Sequence, residues 1–421
     1  MRFVSTAGRA PSVSLEQAVF AGPAPDGGLY VPETLPELTP PVGGGLGDTA
    51  FLVARCLFAG ELSDRELEPI VRESLDFDIP LVALDEGISS LELFHGPTHA
   101  FKDVGARFMA RLMLHFLDGR ATVLVATSGD TGSAVAHAFF KLDGIRVVVL
   151  FPRGKVSELQ RRLFATLGEN VQSLSVDGTF DDCQSLVKRA FADRELDHDG
   201  RLVSANSINV GRLLPQTFYY FHMFAQLREA ERENVAVCTP SGNFGNLTAG
   251  LMAKRMGLPV SQFIAATNAN DVVPRYLTTG EFRPRPSLET LSNAMDVGNP
   301  SNFARMLWLY GGDVDAMRRD VVGFAYSDEQ TLRTIESVHE RLGYVVDPHS
   351  AIGYLGARES DAAARVFLAT AHPAKFRETV EPAIHEKVPL PRALHESANR
   401  PEYVTEMPVD YEALKDYLTS S

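Results

Sequence analysis

The stretch from Ala121 to Phe151, "ATVLVATSGDTGSAVAHAFFKLDGIRVVVLF", decides the fold class. Two continuous apolar, β-branched runs, "ATVLVAT" (121–127) and "IRVVVLF" (145–151), flank the helical pattern "GSAVAHAFFKL". Strands without polar alternation are buried on both faces, and a helix between two of them reads as the crossover of a parallel pair. The rhythm continues downstream. "VSELQRRLFATLG" predicts a helix, "NVQSLSVDG" a strand and "FDDCQSLVKRAFAD" a helix. Later, "NVAVCTP", "GNLTAGLMAKRMG" and "SQFIAATN" predict strand, helix and strand. The expected class is α/β, with mostly parallel sheets covered by helices.

Working outward, the N-terminal stretch differs. It holds a Pro/Gly-rich loop region, "GPAPDGGLYVPETLPELTPPVGGG", and two helical patterns, "DTAFLVARCLFAG" and "SDRELEPIVRESLDF". Ser63 followed by Glu66 is a capping-box pattern that opens the second helix. The expected organisation is a helix-rich N-terminal domain over 1–90, an α/β domain over 91–215 and a second α/β domain over 216–421. The polar end of the last one, "HESANRPEYVTEMPVDYEALKDYLTSS", is expected to wrap the surface.

Composition narrows the function. The chain has 421 residues and is 45% apolar and 22% charged, enough for a large core. A net charge of −14 argues against a nucleic-acid binder while permitting a local basic pocket for a small anion. The three cysteines, Cys56, Cys183 and Cys238, are far apart and make no metal-ligand spacing, so no metal is expected and a reducing, cytoplasmic setting fits. No secretory signal and no apolar run of about 18 residues is read, so no membrane association is expected.

In open α/β sheets, chemistry belongs to loops at the carboxyl ends of strands. "TSGDTGS" (127–133) leads from a strand into a helix, and its hydroxyls and N–H groups would suit a carboxylate or phosphate. Six consecutive small or turn-forming residues favour that reading over an ordinary capped junction. "TPSGNFGN" (239–246) is neither the dinucleotide fingerprint nor a Walker A sequence, yet its glycines and helix start make a phosphate cradle. "SANSINVGR" (204–212) offers hydroxyls, amides and Arg212 for a second anion, although a solvated loop explains it as well. "FLATAHPAKF" places Thr370, His372 and Lys375 at a strand-end turn. Finally, Lys102 in "LELFHGPTHAFKDVGARFM" (91–109) stands where a turn-rich segment enters a helix. Partial burial there would disfavour the ammonium form and free the amine as a nucleophile. Lysine plus phosphate cradle without a metal motif points to pyridoxal 5′-phosphate, and the further anion sites point to an amino-acid substrate.

The blocks "ELFHGPTHAFKD", "ATSGDTGSAVAHAF", "SANSIN", "PSGNFGNLTAGLMAKRMGLP", "AATNAND", "LSNAMDVGNPSN" and "TAHPAKF" resemble those of bacterial and fungal threonine synthases. The resemblance runs from "STAG" and "DGGLYVP" to "TAHPAKF", nearly the whole chain. It implies a pyridoxal-phosphate enzyme of fold type II, like the tryptophan synthase β chain. It implies a carbon–oxygen lyase that converts O-phospho-L-homoserine and water to L-threonine and phosphate. By motif position, Lys102 is the catalytic, Schiff-base lysine. Gly242, Asn243, Phe244 and Asn246, with Gly245 in the same run, bind the cofactor, and Thr370 directs its hydroxyl towards the pyridine nitrogen. Ser128, Asp130 and Thr131 are implied substrate contacts, although related enzymes often carry Asn where Asp130 stands. Lys155, Ser204, Asn206 and Asn209 are candidates for the substrate phosphate, and Asp347 and His349 are architectural. Water must arrive late in such a reaction, so a closing domain is expected. The layout fits a monomer, with a dimer as the alternative. Two rivals share the motifs: a phospho-lyase releasing 2-oxobutyrate and ammonia, and a catalytically silent homologue.

Overall fold

The computed structural model of the chain describes residues 1–85, 87–193, 195–196 and 201–420. Residues 86, 194, 197–200 and 421 fall within the expected domain spans and lie outside the described residues. Two short antiparallel strands, β1 (Phe3–Ser5) and β2 (Tyr30–Pro32), open the chain. Helices Leu46–Leu57 and Asp64–Ser74 follow. The second starts as its sequence predicts: the Glu66 carboxylate accepts from the Ser63 N–H at 2.8 Å and the Ser63 hydroxyl at 2.6 Å. Its stripe of Leu67, Ile70 and Val71 is buried. The pair packs on helices Lys102–Phe116 and Gln216–Gln226, so the N-terminal segment buttresses the elements that carry the site.

Eleven further strands are β3 (Leu81–Asp85), β4 (Ile88–Glu92), β5 (Ala121–Ala126), β6 (Ile145–Pro152), β7 (Val171–Val176), β8 (Arg201–Ser204), β9 (Val235–Pro240), β10 (Gln262–Thr267), β11 (Val321–Ala325), β12 (Ala364–Ala369) and β13 (Val404–Met407). They make two sheets. The five-stranded one has the order β13-β7-β6-β5-β8 and is parallel throughout. The six-stranded one has the order β11-β10-β9-β12-β4-β3, parallel except for β3 against β4. Central strands such as β9 are buried at every residue, as continuous apolar runs require. The fold is therefore the expected α/β class with mostly parallel sheets.

The sheets do not keep to the linear boundaries expected at residues 90 and 215. β3 and β4 join the six-stranded sheet, where Ile88–Glu92 pairs with Arg365–Ala369 of β12. β13, inside the polar C-terminal wrap, completes the five-stranded sheet beside β7. The reason is local. "ISSLE" is half polar, and three of the four β13 residues are exposed, so neither run carries a clear apolar period. Cys183 and Cys238 are buried and Cys56 is half-buried, all as free thiols. Among the described residues, no helix is long and apolar enough to cross a membrane.

Candidate active site

The carboxyl ends of β5, β6, β9 and β12 open onto one cavity of about 650 Å³. Lys102 enters it as the first residue of the helix Lys102–Phe116. The loop before it is held tightly. Asp103 is fully buried and accepts from the Thr98 N–H at 2.9 Å and the Thr98 hydroxyl at 2.6 Å. A Cβ at Gly96 would lie 2.5 Å from the Asp103 carboxylate, so a glycine is needed there. The same loop is laced to the end of β12. Phe101 N–H donates to Thr370 O at 2.9 Å, and His372 N–H donates to His99 O at 3.1 Å. Lys102 and Thr370 thus hang from one frame, and both line the cavity.

Burial pushes the Lys102 ammonium down to about 8, Asp130 opposing this and Lys375 and Arg212 adding to it. A lysine so placed supplies a neutral amine near physiological pH. Its nearest carboxylate is Asp130, with Oδ2 at 3.8 Å from Nζ. Asp130 begins the helix after "TSG". Its Oδ1 meets the Lys375 ammonium at 2.5 Å and the Gln160 amide at 2.8 Å. Burial works to raise this carboxyl, but Lys375, Lys102 and the two hydrogen bonds outweigh it and hold it well below the ordinary carboxylate range. Gly129 has a φ of +145°, and a Cβ there would lie 2.7 Å from the Gln160 side chain. The glycine lets that amide lie across the loop.

The "TSGDTGS" loop uses part of its donor set internally. The Thr127 hydroxyl already accepts from the N–H groups of Gly129, at 2.9 Å, and Gly132, at 2.8 Å. The helix start holds the chain's own carboxylate, Asp130. Ser128 and Thr131 do line the cavity, as do Lys155 after β6 and Asn206, whose amide donates to Ala126 O at 3.1 Å.

Ser204 and Asn209 do not line it. The Asn209 amide donates to Val19 O at 2.7 Å and Ser204 O at 2.9 Å, while its Oδ1 accepts from the Gly211 N–H at 2.8 Å. That side chain is saturated by backbone, and Ser204 is buried at the end of β8 as one of its anchors. The expected contact with a substrate phosphate is corrected for both.

The second loop, Ser241–Asn246, follows β9 and opens the helix Gly245–Arg255. Phe244 adopts a left-handed φ of +57°, which turns successive N–H groups into one concavity. Gly242, Asn243, Phe244, Gly245 and Asn246 all line the cavity. The Asn246 side chain is used in building the loop, since its Oδ1 accepts from the Ser241 hydroxyl and its amide donates to Pro240 O at 3.0 Å. A Cβ at Gly242 would lie 2.8 Å from the Met295 backbone, so two loops meet here without room for a side chain.

One feature marks the place for an anion. Asn302 is fully buried, its Oδ1 accepts from the Arg305 guanidinium at 2.6 Å, and its Nδ2 has no partner among the described residues. That donor lies 3.4 Å from the position of a Cβ on Gly245. An orphaned amide donor beside a helix N-terminus fits a phosphate group. Asn302 backs the loop without lining the cavity; Lys102 and Gly242 to Asn246 do line it, and that donor set suits pyridoxal phosphate. His349 also lines the cavity. Its Nδ1–H donates to Asp347 at 2.5 Å and its Nε2 accepts from the Ala294 N–H at 3.2 Å, which pins the loop carrying Met295.

Lys375 and Gln160 were missed as site residues. The signal for Lys375 was present, since it lies in the same "TAHPAKF" turn as Thr370. Nothing in the sequence joins Gln160 to Asp130, which lies 30 positions away.

Comparison with known proteins agrees. The family described as pyridoxal-phosphate dependent enzyme matches residues 89–368, which places the chain among enzymes that use this cofactor. Residues 2–75 match the threonine synthase N terminus and residues 350–418 the threonine synthase C-terminal family. The threonine synthase of Haemophilus influenzae is 46% identical, with 97% of both chains covered. The crystal structure of threonine synthase from Escherichia coli superposes with a TM-score of 0.92 at 42% identity, covering 100% of each chain. A pyridoxal-phosphate-bound threonine synthase from Brucella melitensis gives a TM-score of 0.94 at 39% identity, covering 99% of this chain and 98% of the other. The chain belongs to the threonine synthase family and acts on a small-molecule substrate with pyridoxal phosphate as cofactor.

Proposed function

We propose that the chain converts O-phospho-L-homoserine and water to L-threonine and phosphate. The observation that carries this reading is the meeting of a depressed lysine, a phosphate cradle and a separate polar wall in one cavity. Lys102 would carry the cofactor, Gly242 to Asn246 would hold its phosphate, and Thr370 would offer a hydroxyl to its ring. Ser128, Thr131, Lys155 and Asn206 receive the substrate, with Arg212 as a further cation on the wall.

When bound, pyridoxal phosphate supplies the electron sink that stabilises negative charge beside the substrate amine. The chain's own part is proton handling and placement. Lys102 Nζ, disfavoured as an ammonium by burial, would serve as the base that takes and returns the Cα proton. Asp130 stays ionised throughout, with its Oδ2 at 3.8 Å from the Lys102 amine. Lys155 and Asn206 hold the departing phosphate, whose oxygens can then accept a proton from the water that attacks Cβ. The same reading takes the protein to act in the cytoplasm as a monomer, which sedimentation of the purified chain would check.

The test is a paired assay with O-phospho-L-homoserine on wild type and Lys102→Ala, measuring threonine, phosphate and 2-oxobutyrate. Threonine equal to phosphate in wild type, with neither in the variant, is the expected result. Phosphate matched by 2-oxobutyrate instead would make the protein a lyase of the same substrate.

A further inference from the structure

Three charged side chains from three separate segments meet at the cavity wall, two of them lining it and Lys375 behind them. Lys375 comes from the short turn Pro373–Phe376 after β12, and its side chain is wholly excluded from solvent. Its ammonium donates to Thr98 O at 3.0 Å, in the loop that delivers Lys102. It also closes on Asp130 Oδ1 at 2.5 Å. The other oxygen of that carboxylate faces Lys102 Nζ at 3.8 Å. One buried carboxylate thus stands between two lysines, and the second lysine has no part in the reaction described above.

A bare buried carboxylate at this distance would hold Lys102 as an ammonium ion, since an opposite charge within a few ångströms raises a lysine by about 1–3 pH units. Lys375 alters that balance. With Asp130 closed into its own ion pair, Lys102 faces a group of no net charge, and its burial is left to favour the neutral amine. The other charged groups acting on Lys102 are Arg212 on the turn Val210–Leu213 and Asp347 at the start of helix Pro348–Ala357; Asp103 follows Lys102 on its own helix. Arg212 disfavours the ammonium and Asp347 favours it, while Asp103 is itself pushed upward by burial. Among the described residues, the carboxylate within 4 Å of Lys102 Nζ is Asp130.

We infer that Lys375 is a positioning residue: by neutralising Asp130 it keeps Lys102 able to lose its proton and join the cofactor near neutral pH. In that step the neutral amine forms a C=N bond with the cofactor's aldehyde carbon and one water leaves. The inference rests on the reading of Lys102 as the lysine that carries the cofactor.

The test reads the protonation of Lys102 directly. Full-length protein freed of cofactor is pulse-labelled with a trace acylating reagent at a series of pH values, and Lys102 modification is quantified by peptide mass spectrometry. The midpoint should rise by about 1–3 pH units in Lys375→Met, stay near the wild-type value in Lys375→Arg, and fall below it in Asp130→Asn. The double variant Asp130→Asn/Lys375→Met buries neither charge and should return towards wild type. It keeps the test usable if Lys375→Met alone fails to fold, because Asp130→Asn must then lie below the double variant. A midpoint unmoved by Lys375→Met, or equal in Asp130→Asn and the double variant, would overturn the inference. Borohydride reduction of the holoenzyme with peptide mapping checks the underlying reading separately: cofactor found on Lys375 instead of Lys102 would sink that reading, whatever the midpoints show.

Discussion

The loops after β5 and β9 begin alike, each a strand running through serine, glycine and threonine or asparagine into a helix. They end as electrical opposites. The loop at Ser241–Asn246 keeps its helix start free of charge, and the Nδ2 of Asn302 is left without a partner beside it among the described residues. The loop at Thr127–Ser133 spends the N–H groups of Gly129 and Gly132 on Thr127 and places Asp130 at its helix start, where it meets Lys375 and Lys102. The first carries no charge of its own and the second carries a carboxylate. Small polar residues at a strand end thus do not by themselves say which charge a loop is built to hold; a single carboxylate at the first helical position reverses it.

The largest effect that would test this contrast is expected at Gly242. A side chain there meets the Met295 backbone at 2.8 Å and the Val297 side chain at 3.0 Å, so Gly242→Val must displace the cradle. The purified variant should retain no cofactor absorbance after gel filtration, while its far-ultraviolet circular dichroism stays that of wild type. Retained cofactor would mean that this loop is not the phosphate site. A smaller loss is expected for Asn302→Ala. A hydrogen bond to a charged group contributes about 1.5–3 kcal/mol, so affinity for pyridoxal phosphate should fall about ten- to a hundredfold. Affinity for pyridoxal, which lacks the phosphate, should not change.

Acid should weaken the β5 side first. His137 lies on the helix that Asp130 begins, and burial depresses its imidazolium from 6.5 to about 4, the Leu163 carbonyl only partly opposing this. Burial holds His99 and His372, which flank the Lys102 loop, down to about 4 as well. A histidine depressed in the folded state binds a proton more readily when unfolded. Its stabilising contribution is therefore complete above about pH 6.5 and lost as pH falls towards 4. The melting temperature should decline across that window, and His137→Gln should make the decline shallower. The helix Gly245–Arg255 carries no histidine, whereas burial raises Asp296, on the loop against Gly242, to about 6, so a cradle-side probe should follow that carboxyl instead. At the small end, Asn209→Ala should cost about 1–3 kcal/mol of stability through the carbonyls it strands, without changing KM. Ser204→Ala should leave KM for the phosphorylated substrate as it is.

Much of this was legible in the residues. Continuous apolar runs gave away the parallel strands, and the turn-rich run before Lys102 marked an unusual lysine. What escaped reading depends on pairing across the chain. β4 becomes a strand because β12 lies beside it, and β13 because β7 does, and no local period records either partnership. The site failed to read in the same way. Asn209 has the chemistry of an anion ligand, but Val19 and Ser204 had already claimed its amide. Asp130 looked like a substrate contact until Lys375 and Gln160 were seen to occupy one of its oxygens. A side chain's type is local, whereas its spare valence belongs to the fold.

The most direct test of the whole account is a turnover of O-phospho-L-homoserine in water enriched in oxygen-18. Loss of phosphate from Cγ followed by addition of water at Cβ predicts the label in the hydroxyl of threonine and none in the phosphate, with the two products equal in amount. Label in the phosphate with homoserine as product, or 2-oxobutyrate in place of threonine, would contradict it.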